Sequence, residues 1–365
     1  MASLSSTARL ARFSSRHPWR TVIVWVAIFV VFGAIQGAFP LQSTSDVKLL
    51  NNPESQQGWD AIVNHGIRKE RSGTETVIVR SSTGATVAND PDGTFQQTVQ
   101  QVTDAVRADS KVASVTNYYE VSKQNPDAAK GLVSADGKTT IIPVTLTGTL
   151  NDAADHGKAF LKIIHGQRDA VAGAGFQVLT VGDASSSAEI NTISEEDIKR
   201  GESIGAGIAF LILIVVFGAL VAAFVPIILA FVAIGVAFGL TALVSHIGEL
   251  SFFVTNIITM IGLAVGIDYS LFVVERYREE RRRGSAKLDA IQIAGSTASR
   301  AVLFSGMTVV FALAGMFIVP NNIYRSLSIG AILVVIVAVL ATLTLIPAVL
   351  ALLGDRIDWP RRRTY

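Results

Sequence analysis

Hydrophobic positions along this chain follow two different rhythms. In one they run unbroken for the thickness of a bilayer; in the other they recur with the spacing of strands and helices that bury a single face. Thr21 to Ala38, TVIVWVAIFVVFGAIQGA, is the first long run and is closed by Pro40. Ser203 to Gly248 holds 46 residues without Asp, Glu, Lys or Arg. A helix crosses with about 20 residues, so this run is two spans. Leu250 to Val274 is broken only by Asp268, and Ala301–Tyr324 and Ser326–Gly354 are uncharged. The pattern predicts six transmembrane helices, over 21–40 and about 203–221, 226–247, 252–275, 299–320 and 327–353. GALVAAFVP (Gly218–Pro226) is the expected turn between the second and third, because Pro226 disfavours helix at Val225.

Between the first and second spans, residues 41–200 change rhythm. Thr74–Arg80 (TETVIVR) has the β-branched content of a strand, and NDPDG (Asn89–Gly93) is a turn. Phe95, Val99, Val102 and Val106 then recur at helical spacing, and Lys111–Tyr119 reads as a returning strand. Thr139–Gly148 is a third strand. A helix from Ala153 follows, with Phe160, Ile163, Ile164 and Val171 on one face, and Phe176–Gly182 closes the set. Strand–helix–strand twice over predicts a split βαβ, ferredoxin-like α+β domain. A short helix over Gln56–Ile67, with Trp59, Ile62, Val63 and Ile67 inward, joins it to the first span. The expected fold class is therefore an α-helical polytopic membrane protein with an α+β domain inserted between helices 1 and 2.

Composition agrees: of 365 residues 50% are hydrophobic and only 16% charged, and the mean hydropathy is +0.45. Soluble domains carry about 25% charged residues. A cleaved signal peptide would compete with the first span, but its apolar core should be about 7–15 residues long; this one is longer and bulky. Charge placement sets the expected orientation. Arg9, Arg12, Arg16 and Arg20 precede the first span. Arg276, Arg278, Arg281, Arg282, Arg283 and Lys287 lie between spans four and five, and Arg356, Arg361, Arg362 and Arg363 follow span six. Excess Lys and Arg marks the cytoplasmic face. Both termini (1–20 and 355–365) are then inside a plasma membrane and the α/β domain is extracytoplasmic.

The candidate chemistry is concentrated in Thr255–Glu280, TNIITMIGLAVGIDYSLFVVERYREE. Asp268 lies about 12 Å inside Arg276 at 1.5 Å per residue, near the middle of a core about 30 Å thick. An ionised carboxylate there costs about 2.5–3.5 kcal/mol on insertion scales, so it needs water, a proton or a polar partner. Such a group is most simply a proton or ion relay; the alternative is an aspartate that only hydrogen-bonds neighbouring helices. Gly262 and Gly266 allow close helix packing and would bring a neighbouring backbone near the carboxylate. Ser305 and Thr308, three apart on the fifth span, either bond across helices or return to their own helix carbonyls. Asn256 is a weaker candidate on the same logic.

Other chemistries find little support. GLVSADGKT (Gly131–Thr139) spaces its glycines one residue too far for a phosphate loop and leads into a strand. Without cysteine, thiolate metal sites and cysteine nucleophiles are excluded. His17, His65, His156, His165 and His246 show no metal-ligand spacing and read as surface or packing residues. The Arg276–Arg283 run reads as a topological anchor touching anionic headgroups rather than a nucleic-acid site. No enzyme activity, metal or cofactor is expected.

The one-plus-five arrangement of spans, with FGALVAAFVPI, GIDYSLF followed by RYREE, SRAVLFSGMTV and LTLIPAVLALLG, resembles the MMPL branch of the resistance-nodulation-division transporters over almost the whole chain. The resemblance implies a proton-coupled exporter of lipids or other hydrophobic molecules. It implies Asp268 and Tyr269 in the proton relay with Ser305 near them, protons as the coupling ion, and an outer porter domain. Such transporters carry two of these halves, and this sequence holds one. It is then half of a longer protein, or it pairs with itself or with a separate six-span partner. An accessory motor similar to SecD/SecF, and a membrane sensor or scaffold that transports nothing, are the alternatives.

Overall fold

The computed structural model describes residues 6–44, 49–65, 67, 72–248 and 250–360. In chain order the elements are α1 (Ser6–Arg16), α2 (Pro18–Ala38), β1 (Ser43–Thr44), α3 (Glu54–Asn64), β2 (Thr74–Ser81), α4 (Thr94–Arg107), β3 (Val112–Val115), α5 (Tyr118–Gln124), α6 (Pro126–Ala129), β4 (Thr139–Leu146), α7 (Leu150–Ala172), β5 (Phe176–Gly182), α8 (Asp183–Phe217), α9 (Leu220–Ser245), β6 (Leu250–Ser251), α10 (Val254–Arg282), α11 (Lys287–Ser296), α12 (Ala298–Ala314) and α13 (Asn322–Leu353). They fall into two compact units, one comprising Met1–Pro53 with Ile198–Tyr365 and the other Glu54–Asp197. The basic tail at 361–365 lies outside the described residues.

The Glu54–Asp197 unit is built on an antiparallel sheet ordered β3-β4-β2-β5. Alternation places Val77, Val79, Ile142, Val144 and Leu146 on one buried face. Phe95, Val99, Val102 and Val106 of α4 and Phe160, Ile164 and Val171 of α7 close over that face; Ile163 is only half-buried. α7 starts with a capping box in which Thr149 and Asp152 exchange hydrogen bonds. The Thr149 amide and then its hydroxyl hold the Asp152 carboxyl below its ordinary range. Three expectations shift here. The strand expected to Tyr119 stops at Val115, because Asn117 accepts the Glu120 amide at 3.0 Å and caps α5 instead. α3 buries no side chain, and Trp59 and Ile67 are exposed rather than inward. His156 is not a bare packing residue, since its Nε2 meets Asp109 Oδ2 at 2.5 Å.

One buried carboxylate organises the start of α8. Glu75, 2% exposed, accepts the Ser185 amide (2.8 Å), the Ser185 hydroxyl (2.8 Å) and the Thr180 hydroxyl (2.9 Å). A carboxylate at a helix N-terminus satisfies amides that the helix itself leaves free. Glu75→Ala would strand three donors in a dry site. It should lower the opening free energy of β2 and β5 amides by about 2–4 kcal/mol in hydrogen exchange on the full chain; an unchanged value would mean water replaces the carboxylate.

Six helical stretches among the described residues are long and apolar enough to cross a membrane: Pro18–Ala38, Asp183–Phe217, Leu220–Ser245, Val254–Arg282, Lys287–Ile318 and Asn322–Asp358; all belong to the other unit except the part of Asp183–Phe217 before Ile198. The second is longer than the hydropathy suggests, because α8 begins twenty residues before Ser203. The turn after it falls within the expected Gly218–Pro226 stretch but only at its start: Gly218 adopts φ +61°, which ends α8, while Pro226, expected to disfavour helix at Val225, lies inside α9. Neighbouring helices re-satisfy backbone freed by proline in such bundles. α9, α10 and α13 form the interior. Buried Ala222, Ala230, Ala233 and Ala237 on α9, and Ala331, Ala338 and Ala341 on α13, let their axes approach. α2 leans on α9 so closely that a Cβ at Gly239 would sit 2.4 Å from the Phe32 carbonyl oxygen. Trp25 Nε1 also donates to Thr344 Oγ1 on α13 at 2.9 Å.

Toward the C-terminal end of α10, Arg278 is buried (3% exposed) with Asp358 (1% exposed). Its Nε donates to Asp358 Oδ1 at 2.8 Å and its Nη2 to the Phe217 carbonyl at 2.7 Å, while the guanidinium lies 5.3 Å from the Phe217 ring. One side chain thus gathers the last residue of α8, α10 and the segment after α13.

Candidate functional site

α10 is a helix with two unlike faces. Ile258, Gly262, Gly266, Tyr269, Val273 and Tyr277 are buried in the bundle. Met260, Ala264, Asp268 and Phe272, each four residues apart, form the exposed stripe. Adjacent residues on a helix diverge by about 100°, so Asp268 and Tyr269 point to different neighbours although they are neighbours in sequence.

Asp268 opens into a cleft of about 540 Å³ between α8 and α10. Gly201, Gly205, Ala206 and Ala209 supply the α8 wall, and Met260, Leu263, Ala264 and Ile267 the α10 wall. The small α8 residues are what make the cleft wide enough to reach the carboxylate. Asp268 forms no hydrogen bond or ion pair among the described residues. It is the one acidic group in a lining that is otherwise aliphatic, thioether or glycine backbone.

Tyr269 turns inward, 6% exposed. Its hydroxyl lies 3.5 Å from Ser305 Oγ on α12, long for an O–H···O bond. Gly306 makes the slot for the ring: a Cβ there would fall 2.4 Å from Val339 Cγ2 and 3.7 Å from the Tyr269 hydroxyl oxygen. The structure therefore brings Tyr269 and Ser305 together and holds Asp268 on another face. Tyr269→Phe would keep the ring in its slot and remove one weak hydrogen bond. Thermal unfolding should shift by less than about 1 kcal/mol; a larger loss would reveal a stronger partner for the phenol.

The remaining candidates separate from this group. Gly262 and Gly266 do bring backbone close, a Cβ at Gly266 lying 2.9 Å from Ala230 Cα and one at Gly262 2.4 Å from Ile234 Cγ1. Gly266, two residues and about 200° from Asp268, does so on the opposite face, and Gly262, six residues away, does so about 120° round the helix from it. Their contact holds α10 to α9 and does not touch the carboxylate. Thr308 returns its hydroxyl to Phe304 O on its own helix at 3.0 Å. Asn256 accepts from the Thr255 hydroxyl at 3.3 Å and stands twelve residues, about 18 Å, from Asp268. The motif reading passed over Gly306, although it lies inside SRAVLFSGMTV; a glycine beside Ser305 in an otherwise bulky span was the available signal.

Comparison with known proteins places these residues in company. A model of the MMPL family matches residues 55–365. A membrane protein of Streptomyces coelicolor is 31% identical over 97% of this chain and 48% of its own length. The mycolic acid-containing lipids exporter MmpL11 of Mycolicibacterium smegmatis is 37% identical over 50% of this chain and 20% of its own. The heme uptake protein MmpL11 of Mycobacterium tuberculosis is 39% identical over 48% of this chain and 18% of its own. The chain spans about half the length or less of the curated relatives it matches.

Proposed function

Because the chain belongs to the MMPL family, we propose that it is one six-span half of a proton-driven exporter of lipids or other hydrophobic molecules in the cell membrane. The observation that carries this reading is Asp268, a carboxylate without a partner among the described residues, lining an apolar cleft between two spanning helices. In hydrocarbon that group is stable when protonated or when a polar partner faces it, and costly when ionised and alone. Its charge state is thus tied to what occupies the cleft. Proton binding and release would bias the position of α8 against α10, which is the differential interaction a coupled transporter requires.

An external six-span half is the natural occupant, because lipid tails offer the carboxylate nothing. The strand order β3-β4-β2-β5, with every neighbour antiparallel, supports reading Glu54–Asp197 as a ferredoxin-like porter domain. The arginine distribution supports placing it outside the membrane with both termini inside. Protons serve as the coupling ion and no cofactor is needed. One charge moved through 100 mV yields about 2.3 kcal/mol, enough for roughly a fiftyfold substrate gradient.

The test is transport of a fluorescent lipid in proteoliposomes with an imposed pH gradient. Movement should require the gradient, reverse when it is inverted, and be accompanied by proton flux. Secretion defects without lipid movement would favour a protein-translocation motor, and absence of any ligand-stimulated proton flux would favour a sensor or scaffold. One relative is named for uptake and another for export, so direction is read from the same assay.

A further inference from the structure

We infer that α1 and the first turn of α2 form a docking surface for anionic phospholipid headgroups, on the leaflet where the first span begins. α1 divides cleanly. Thr7, Ala8, Ala11, Ser14 and Ser15 are buried, and being small they seat the helix hard against α11 and α13: a Cβ added at Gly295 would lie 2.4 Å from Ala11 Cβ. That contact fixes which way the other face looks. The other face carries Arg9, Leu10, Arg12, Phe13 and Arg16, all exposed, and Trp19 and Arg20 continue it past His17. Leu10, Phe13 and Trp19 are 43%, 65% and 66% exposed, interleaved with the guanidiniums.

The charge on this face is unanswered. The sequence has no Asp or Glu before Asp46, and among the described residues Arg9, Arg12, Arg16 and Arg20 form no ion pair. The second basic run is the opposite case. Arg276 pairs with Glu279 and Glu280, Arg278 with Asp358, Arg281 with Asp355, Arg282 with Glu275, and Arg283 with Glu279 and Glu280. The run that the sequence alone marks for headgroups is thus paired within the fold, whereas the arginines of the N-terminal helix keep their charge unpaired among the described residues.

Two features choose a lipid surface as the occupant over an acidic protein segment. Only His17 separates α1 from α2, whose first position is Pro18, so the face stands at the mouth of a membrane span. Arginines interleaved with Leu, Phe and Trp are also the pattern of a helix lying in the interface. Its apolar side chains reach the acyl boundary, its guanidiniums bond phosphates, and its indole sits at headgroup level. The inference needs α2 to be a span but is independent of proton coupling and of transport.

The chain has no cysteine, so Ser6→Cys, exposed at the start of α1, offers a unique site for a polarity-sensitive fluorophore on the full chain in nanodiscs. Emission should shift to the blue in discs containing phosphatidylglycerol relative to phosphatidylcholine alone. The shift should reverse near 1 M salt, where the Debye length falls to about 3 Å. R9Q/R12Q/R16Q should weaken the headgroup-binding equilibrium by about a hundredfold, at about fivefold per arginine, so that the blue shift is lost even in discs of phosphatidylglycerol alone, with unchanged thermal unfolding. R9K/R12K/R16K, which keeps the charge, should restore the response. Equal emission in both disc types, or a larger response to soluble polyglutamate than to phosphatidylglycerol, would overturn the inference, the latter pointing to an acidic protein partner. Loss of the shift in both triple variants with unfolding preserved would also overturn it, since charge would then not be what binds.

Discussion

Replacing Asp268 by asparagine is expected to abolish gradient-driven lipid movement, with a loss of at least about a hundredfold, or about 2.7 kcal/mol of coupling, and without loss of folded protein. The amide has nearly the shape of the carboxyl and sits in the same cleft between α8 and α10. It cannot release a proton, so it removes the change of charge and leaves the packing alone. Stability should hold or rise slightly, because a neutral amide costs less than a carboxylate facing apolar side chains. Asp268→Glu, which keeps the acid but lengthens it by one methylene, should retain part of the flux. Two measurements decide it: dye-monitored proton flux and lipid transfer in the same proteoliposomes. An asparagine variant that moves lipid at the parental rate and still follows the gradient would remove Asp268 from the coupling altogether. A variant that simply unfolds would show in a thermal scan, and the glutamate variant would then carry the test.

The second large effect concerns stability. Arg278→Met should destabilise the spanning unit by about 3–5 kcal/mol, because it leaves Asp358 buried without its guanidinium. It also leaves the Phe217 carbonyl, now bonded at 2.7 Å, without that donor. Asp358→Asn should cost less, since the arginine keeps the Phe217 carbonyl and an amide can still accept from Nε. Arg278→Met combined with Asp358→Leu should cost less than the sum of Arg278→Met and Asp358→Leu taken singly, as expected for residues that share one interaction. Urea or thermal midpoints in detergent would read the cycle. Strict additivity would mean that each side chain works through other partners. The contrast is with Arg283 and Glu279, an exposed pair at 2.5 Å, whose removal should change stability by less than about 1 kcal/mol.

Much of this architecture is visible along the chain because it depends on local properties. A stretch such as Thr21–Ala38 has nowhere to go but hydrocarbon. The spacing of Phe95, Val99, Val102 and Val106 makes a one-faced helix whatever it packs on, and all four are buried in one core. Asp268 stands out from sequence for the same reason, as a charge in a run that otherwise excludes charge. Even the divergence of Asp268 from Tyr269 follows from helical geometry, although motif reading treats the two letters as one unit.

Other features depend on partners distant in sequence, and only the folded chain supplies them. Of the expected Gly218–Pro226 turn only the first residues form it, because Gly218 takes the positive φ, and α9 runs on through Pro226. Gly262 and Gly266 read as neighbours of the carboxylate, yet their contacts are with Ile234 and Ala230, turned away from it. The arginines in the last turns of α10 read as exposed charge until Asp358, eighty residues away, closes on Arg278. The sequence by itself determined which segments are apolar enough to span, which helices bury one face and where an acid interrupts an apolar run, since these follow from each residue's solvation and the period of its own helix. Only the tertiary structure decided which wall that acid faces, which hydroxyl meets Tyr269 and which arginines keep their charge free, because those are settled by pairing between residues that the chain holds far apart.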